Sequence, residues 1–406
     1  MKKTAMILTA IIICLSWPDF IRAYQSFPDT GQSKCYNNTE EITCPDSGPF
    51  YGQDAHYQPR VPQSYTKLGY GGEVLADNAV HVDDGGPWIM TRDNVTGLIW
   101  EVKTEESGLR NNNNTYTWYD PDPEINKGDA GEQNGGQCSG SDCDTYSYIQ
   151  ALNQQSFGGC SDWRMPGRQE LSSLANRDDY APSIDTQWFP HTRASNYWTG
   201  DTFAMNNVGA WRVDFFHALV GGADKRGADK PVVYHARAVR GGPSEFLPHL
   251  TDNQDGTVTD HNTGLVWQKC SHGQTWDEAT NECSGTPTAY NWQDALAAAE
   301  SLRWANHTDW RLPDINELQT LIDDTTSNPA ILDILADDTI SGYYWSSTTY
   351  PGSMDRAWSV YFLNGFIAPR IKTNENNYYV RAVRGGDTFI YSEAKALPGL
   401  FMLLFD

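Results

Sequence analysis

Two stretches of the sequence place the same charged side chains at the same spacing. SDWRMPGRQEL begins at Ser161 and TDWRLPDINEL begins at Thr308, and each reads Asp-Trp-Arg, then a proline, then a glutamate four residues after that proline. Acids and an arginine repeated in this way could form a duplicated active site. Such a site would also need a nucleophile or a base at matched positions, and these positions hold no histidine and no cysteine. We therefore expect duplicated scaffolding and a protein that is not an enzyme.

The residue types of this motif suit a structural role. The tryptophan is a large core anchor, and the proline restricts the backbone at the start of a helix. Glu170 and Glu317 fall at the third helical position, where a carboxylate accepts hydrogen bonds from free backbone amides. Asp309 and Arg311, like the matching residues of the first stretch, are typical of a partly buried ion pair that shapes a turn.

A separate acidic stretch, TDNQDGTVTD, raises the question of calcium. It offers four oxygen-bearing side chains: Asp252, Asn253, Asp255 and Asp260. An EF-hand loop counted back from Gly256 would need an acidic residue at Thr251, so a hairpin turn explains the same residues more simply. The sequence thus indicates no cofactor, and calcium stays open as an alternative.

The cysteines outside the first 23 residues predict disulfides rather than a zinc site, because no Cys/His spacing resembles zinc ligands. Two close pairs are predicted to be local disulfides: Cys35 with Cys44, and Cys270 with Cys283. Cys138, Cys143 and Cys160 leave one thiol over. A Cys143–Cys160 pair is favoured because both residues flank the same predicted helix, which leaves the partner of Cys138 open.

The N-terminal residues have the pattern of an export signal. Lys2 and Lys3 precede an apolar run at 5–15, and Ile-Arg-Ala at 21–23 offers a small-residue cleavage site. The run is too short to span a membrane. We expect an exported protein, in the periplasm, at the cell surface or secreted, with no membrane span in the mature chain. The net charge of −23 argues against nucleic acid, anionic lipid and polysulfated glycans as partners.

Most of the chain is predicted to consist of two copies of one domain. DNVTGLIW recurs as DHNTGLVW, and ARAVRGG recurs as VRAVRGG. An interval of 35 residues separates Trp163 from Trp198, and the same interval separates Trp310 from Trp345. The first copy carries an additional polar loop within 111–144. The predicted divisions are a signal peptide at 1–23, a cysteine-containing segment at 24–77, the copies at 78–243 and 244–387, and an apolar tail at 388–406.

The hydrophobic pattern within a copy predicts an α+β fold. In NWQDALAAAESLRW, apolar residues recur at helical spacing from Trp292 to Leu302. Asp314 is a predicted N-cap of a second helix that buries Leu318 and Ile322. Short aromatic strands such as YYWSST follow. Each copy is therefore expected to have two helices and a small antiparallel sheet.

These blocks resemble a known family. DNQDGTVTDHNTGLVWQ, DWRLPDINELQTLID, YYWSST and YYVRAVRGG are similar to the C-terminal domain named after the Legionella collagen-like protein, over roughly 310 of the 406 residues. By pattern that family is related to C-type-lectin-like and formylglycine-generating-enzyme-like domains. The resemblance implies two tandem C-type-lectin-like domains. The founding adhesin is associated with attachment to host glycosaminoglycans, which implies surface binding.

Two departures limit what the resemblance implies. Calcium-dependent lectins use Glu-Pro-Asn or Gln-Pro-Asp with Trp-Asn-Asp, and none of these tripeptides occurs here. Oxidase relatives need a late cysteine pair, whereas the last cysteine is Cys283. We therefore expect an exported bacterial, non-enzymatic, adhesin-like protein that binds a cell-surface or extracellular glycan or protein. The alternatives are an envelope structural or assembly component and, with less support, a formylglycine-generating-type enzyme.

Aromatic residues in polar loops without a counterpart in the other copy are the predicted ligand contacts. Exposed tryptophan and tyrosine rings can stack on sugar rings. The predicted candidates are Tyr116, Trp118, Tyr350 and Tyr378.

Overall fold

The computed structural model describes residues 27–57, 61–227, 230–241, 249–373 and 378–385. Up to the end of the first copy the strands are β1 (Cys35–Tyr36), β2 (Glu41–Ile42), β3 (Tyr65–Leu68), β4 (Met90–Asp93), β5 (Ile99–Glu101), β6 (Tyr116–Thr117), β7 (Asn196–Thr202), β8 (Gly209–Asp214), β9 (Leu219–Asp224), β10 (Val233–Tyr234) and β11 (Val239–Arg240). The second copy contributes β12 (Leu250–Asp252), β13 (Thr257–Asp260), β14 (Leu265–Gln268), β15 (Thr275–Asp277), β16 (Glu282–Ser284), β17 (Tyr343–Thr349), β18 (Arg356–Tyr361), β19 (Phe366–Ile371) and β20 (Val383–Gly385). The α-helices are α1 (Pro123–Asn126), α2 (Thr145–Gln154), α3 (Arg168–Ser173), α4 (Trp292–Ser301) and α5 (Ile315–Gln319).

The predicted α+β fold of two C-type-lectin-like domains, each with two helices and one small sheet, is wrong. The described residues are mainly β, and their five α-helices have four to ten residues. Helix α4 follows the predicted pattern, but α5 ends at Gln319, before the predicted apolar face is complete. β-Branched and aromatic residues dominate the segments after the helices, and such residues favour a pleated, half-buried surface.

The first and last strands of each copy lie together in a four-stranded antiparallel sheet. The orders are β11-β5-β4-β3 and β12-β13-β14-β20, and β3 precedes residue 78, the predicted start of the first copy. The predicted hairpin of the second copy is confirmed, since β13 pairs with β14. Its turn needs Gly264 at φ 71°, where glycine has no steric cost. Asp260 stabilises this turn by accepting a hydrogen bond of 2.9 Å from the Asn262 backbone amide.

A second sheet joins the two copies. Its order is β17-β18-β19-β9-β8-β7, so three strands of each copy meet edge to edge between β19 and β9, with Ile367 opposite Val220. The pairing covers strand edges that would otherwise present unpaired backbone groups. Beside it, the Phe366 ring lies 5.3 Å from Phe203 and 5.8 Å from Trp211. The copies therefore share one sheet and one hydrophobic core.

The tryptophans at repeat-matched positions are core residues, as predicted. All eight are at most 2% exposed: Trp100, Trp163, Trp198, Trp211, Trp267, Trp310, Trp345 and Trp358. Because both copies bury the same large side chains, the interval between them is the same in each.

The N-terminal segment 27–57 packs on the second copy. The Gln32 side chain donates to the Thr349 carbonyl at 2.7 Å and accepts from the Thr349 amide at 2.8 Å. Asn316 donates from its side chain to the Pro28 carbonyl at 2.9 Å. Further contacts reach the first copy, where the Arg177 amide donates to the Thr30 carbonyl and the Ser33 hydroxyl donates to Asp178, both at 2.8 Å. The segment is thus an integral part of the fold.

The predicted signal peptide at 1–23 and the apolar tail at 388–406 lie outside the described residues. Within the described ranges, none of the helices has the length and apolar character needed to cross a membrane.

The shared sheet predicts that both copies unfold together. Ile367 is fully buried at the junction, so we expect Ile367→Ala to lower the free energy of unfolding by about 2–4 kcal/mol in a single transition. Urea unfolding followed by circular dichroism and tryptophan fluorescence measures this. Val208→Ala is the control, because Val208 is 45% exposed and its loss is expected to cost at most about 0.5 kcal/mol. Two separate transitions, only one of them shifted by Ile367→Ala, would contradict the prediction.

Candidate functional site

The repeated motif holds the start of a helix in each copy. Arg164 and Arg311 each form two parallel hydrogen bonds to the glutamate six residues on, at 2.6 Å to Glu170 and at 2.7 Å to Glu317. Each glutamate also accepts from the backbone amide at the helix N-cap, as predicted. Such forked, charge-assisted pairs fix geometry as well as charge.

The predicted ion pair between the aspartate and the arginine of the motif is wrong, because each binds another partner. Asp309 binds Arg384 at 2.7 Å and 2.9 Å, and Asp162 binds Arg240 at 2.8 Å and 3.2 Å. The motif therefore makes two ion pairs, one to the helix start and one to the last strand of its copy.

Three disulfides join described cysteines. Cys35–Cys44 and Cys270–Cys283 are present, whereas the predicted pairing of Cys143 with Cys160 is wrong. Cys143 is bonded to Cys138, with 5.5 Å between the Cα atoms. This pairing has a local cause. The chain on both sides of the turn between the two cysteines forms backbone hydrogen bonds with the segment 115–117, which holds the cysteines close together.

The structure places three of the four predicted ligand residues in the core. Tyr116, Trp118 and Tyr350 are 0%, 1% and 7% exposed, so the expectation that they are exposed is wrong. Tyr378 is half-buried, with its ring 4.9 Å from that of Trp345. The polar loops that carry these residues fold back onto the protein and bury their aromatic side chains against the sheets.

An open cleft of about 1010 Å³ lies beside the duplicated helix start of the first copy. Its walls are the segment 118–127, helix α2, the beginning of α3, the end of β7 and residues 322–325 of the second copy. The additional loop of the first copy forms one rim, because Thr202 donates from its hydroxyl to the Ile125 carbonyl at 2.7 Å. The first copy therefore forms most of the cleft, and the second copy contributes one wall.

Two tyrosines form an aromatic wall in this cleft. Tyr119 and Tyr146 are arranged edge to face, 6.1 Å apart, and Tyr146 is 39% exposed. Neither tyrosine was among the predicted ligand contacts. A usable signal existed for Tyr146, because α2 buries Tyr148, Ile149 and Leu152, and a residue off that stripe faces outward.

The floor of the cleft contains two carboxylates that hold Arg168. Asp324 accepts from Arg168 Nε, and Asp201 accepts from the Arg168 backbone amide, both at 2.5 Å. Burial, followed by the neighbouring Asp324 carboxylate, raises the pKa of Asp201 to about 6. Burial also raises the pKa of Asp324, against the effect of Arg168. Both acids thus position the beginning of α3.

The cleft has an excess of negative charge. Six acidic side chains line it: Asp120, Glu124, Glu170, Asp201, Asp323 and Asp324. The cationic side chains among its lining residues are Lys127, Arg164 and Arg168, and both arginines are paired with lining acids. An anionic ligand is therefore disfavoured here, in agreement with the net charge of the chain.

The corresponding position in the second copy is covered. Positions in this region differ by 147 between the copies, as Trp163 and Trp310 show. The Ile315 amide donates to the Thr348 hydroxyl at 3.0 Å, which matches the bond from the Arg168 amide to Asp201 in the first copy. The Thr348 hydroxyl in turn donates to Asp54 at 2.7 Å. Because Asp54 belongs to the N-terminal segment, that segment covers in the second copy the position that the first copy leaves open.

The acidic side chains of the hairpin considered for calcium form local bonds. Asp252 pairs with Lys269 at 2.7 Å, and Asp255 accepts from the Thr257 amide and hydroxyl. Among the described residues, three other groups bring metal-binding atoms together. One contains the disulfide-bonded Cys35 and Cys44. In another, His81 Nδ1 accepts from the Asp83 amide at 3.2 Å, which removes that nitrogen as a ligand. The third is a buried group of carboxylates.

The comparison with protein families assigns the chain. The model described as the Lcl C-terminal domain matches residues 89–240 and 256–384. The protein therefore belongs to the Lcl C-terminal domain family and carries two tandem copies of the domain, as the resemblance implied. No curated protein and no solved structure matches the chain.

The raised pKa of Asp201 predicts a pH dependence. Because the carboxyl titrates at about 6 when folded and at 3.8 as a model group, its contribution to stability is present below about pH 4 and is lost as pH rises through 6. Asp201→Asn keeps an acceptor for the Arg168 amide and should remove this loss, gaining about 1–2 kcal/mol over wild type between pH 4.5 and 7.5. Urea unfolding at both pH values measures it, with the exposed Asp46→Asn as control. Parallel pH profiles for wild type and Asp201→Asn would refute this assignment.

Proposed function

We propose that this protein is a non-enzymatic binding protein that acts outside the cytoplasm and receives a glycan of neutral or amino sugars in the cleft of its first copy. The observation that carries the proposal is the exposed Tyr146 ring beside Tyr119, opposite a floor of carboxylates. An aromatic face with a few polar groups around it is the usual composition of a site for a small ligand.

The chemistry of a sugar matches both parts of the cleft. The apolar face of a pyranose ring can pack on the half-exposed Tyr146 ring, while its hydroxyl groups can donate to Asp120 and Glu124. The excess of carboxylates disfavours sulfated or uronic acid polymers and favours neutral or amino sugars. The proposal therefore differs in ligand charge from the glycosaminoglycan binding that the family resemblance implied.

A binding role rather than catalysis is supported by how the cleft acids are used. Asp201 and Asp324 both bind Arg168, so their hydrogen bonds are directed into the protein. Location outside the cytoplasm is supported by the three disulfides among the described residues, since such bonds persist in oxidising compartments, and by the export pattern of the first 23 residues.

A polypeptide ligand is the second candidate, and it rests on one observation. In the second copy the corresponding position is covered by a polypeptide, the segment 27–57, which binds Thr348 and Thr349. An envelope protein could present a similar segment to the open cleft of the first copy, as an assembly role would require.

A glycan array with neutral, amino and sulfated oligosaccharides tests the first candidate. We expect binding of neutral or amino glycans and at least a tenfold loss of affinity for Tyr146→Ala, because removing a stacked ring costs about 1.4 kcal/mol or more. Tyr180→Ala is the matched control, since Tyr180 is 46% exposed and lies outside the cleft lining.

Three outcomes of this experiment are informative. Binding that survives Tyr146→Ala would place the glycan elsewhere and overturn the proposed site. A preference for sulfated glycans would overturn the charge argument. Absence of glycan binding would reject the first candidate, and a photo-crosslinking residue at Gln150, compared with one at Tyr180, would then test for a protein in the cleft.

A further inference from the structure

A small cavity lies between the N-terminal segment and the second copy, away from the open cleft. Its volume is about 40 Å³, and three carboxylates face one another in it: Asp29 and Asp54 from the segment, and Asp314 at the N-cap of α5. One oxygen from each lies within 4.8 Å of the others. Two ligands of a single calcium ion, each at about 2.4 Å from it, are at most that far apart.

Among the described residues, no cationic side chain forms an ion pair with these three acids. Arg311 is the cation in the lining of the cavity, and it is bound by both oxygens of Glu317 at 2.7 Å. Three carboxylates are therefore left without a counter-charge among the lining residues. Burial and then the charge of Asp29 raise the pKa of Asp54 to about 7. Burial and the neighbouring carboxylates also raise the pKa of Asp314, and burial raises that of Asp29.

Each carboxylate is oriented through one of its oxygens. Asp54 Oδ2 accepts from the hydroxyls of Thr30 at 2.8 Å and Thr348 at 2.7 Å. Asp29 Oδ1 accepts from the Gly31 amide at 2.9 Å, and Asp314 Oδ1 accepts from the Glu317 amide at 2.8 Å. These bonds come from the surrounding backbone and hydroxyl groups, so they orient the acids without neutralising their charge.

A fourth oxygen in the cavity has no partner. Ser347 lines the cavity and is 1% exposed, and within the described residues its hydroxyl makes no hydrogen bond. A buried hydroxyl without a partner costs about 1–3 kcal/mol. This orphan oxygen is a second sign, independent of the acids, that the cavity is shaped for a ligand that accepts electron pairs from oxygen.

We propose that Asp29, Asp54, Asp314 and the Ser347 hydroxyl bind one hard divalent cation, with Ca²⁺ as the best match. The donors are all oxygens, which suit calcium, magnesium and manganese rather than softer metals. They come from a loop, a short 3₁₀ helix (Asp54–His56), a helix N-cap and a strand, and calcium accepts such irregular geometry more readily than magnesium does. The ion would fasten the N-terminal segment to the second copy.

The first copy lacks the side chains of this site. The positions in the first copy that correspond to Asp314 and Ser347 are Gly167 and Gly200, which offer no side-chain oxygen. We therefore expect one high-affinity ion per chain, independent of the glycan cleft, whose lining residues are different.

Isothermal titration calorimetry and thermal unfolding of the full chain with CaCl₂ or MgCl₂ test the site. Wild type should bind one Ca²⁺ and unfold at a higher temperature in its presence, because the ion binds the folded state. Asp54→Asn should weaken binding at least tenfold, and Ser347→Ala at least threefold. Without calcium, Asp54→Asn should be at least as stable as wild type because it removes a repelling charge.

The pH profile provides a second readout. In a chelator, wild type should lose stability as pH rises from about 4 through about 7, since the folded pKa of Asp54 is raised from 3.8 to about 7. The raised values of Asp29 and Asp314 act in the same direction, and Arg311 opposes that of Asp29. Calcium should abolish the loss in wild type and have a much smaller effect on Asp54→Asn at the same calcium concentration.

Asp255→Asn is the matched control, because Asp255 is an exposed acid of the hairpin turn. It should leave calcium binding unchanged. The proposal is overturned if no divalent cation binds, if calcium stabilises Asp54→Asn as much as wild type, or if Asp255→Asn rather than Asp54→Asn abolishes the effect.

Discussion

The structure depends on one edge-to-edge contact, the antiparallel pairing of β9 with β19. Each copy contributes three strands to the shared sheet, and either set alone would expose an edge and an apolar face. Joining them buries Ile367 and Val220 and closes a core that runs through both copies. The same contact brings residues 322–325 of the second copy against the first, so the pairing that stabilises the protein also forms a wall of the cleft.

The same contacts hold the start of the helix in both copies, but a different part of the chain packs beside it in each. In both copies a forked arginine–glutamate pair holds the N-cap amide, and the first helical amide donates to a side chain on the adjacent strand. In the first copy the additional loop packs along one side and leaves an open cleft. In the second copy the segment 27–57 lies over the helix start and borders a small acidic cavity. One scaffold therefore presents two different chemical environments.

Charge separates the roles proposed for these two environments. In the cleft, both arginines are paired with lining acids, and the remaining carboxylates border an exposed aromatic wall, which fits a neutral or cationic ligand with hydroxyl groups. In the small cavity, three carboxylates and an unpaired hydroxyl line a volume of about 40 Å³, which matches an ion with one or two waters. The large cleft suits recognition, and the small cavity suits structural binding of an ion.

Sequence alone was sufficient to establish the duplication, the family, the buried tryptophans, the capping glutamates and two of the disulfides. Each of these depends on local spacing or on a side chain that is buried wherever the copy folds. The sequence could not predict that the two copies share a sheet, because strand pairing across Val220 and Ile367 depends on which edges remain unpaired after each copy has folded. For the same reason, the helical spacing of apolar residues led to the wrong fold class. The exposure of Tyr146, the burial of Trp118 and the convergence of Asp29 with Asp314 were decided by tertiary structure, because contacts between residues far apart in the chain determine which side chains water can reach.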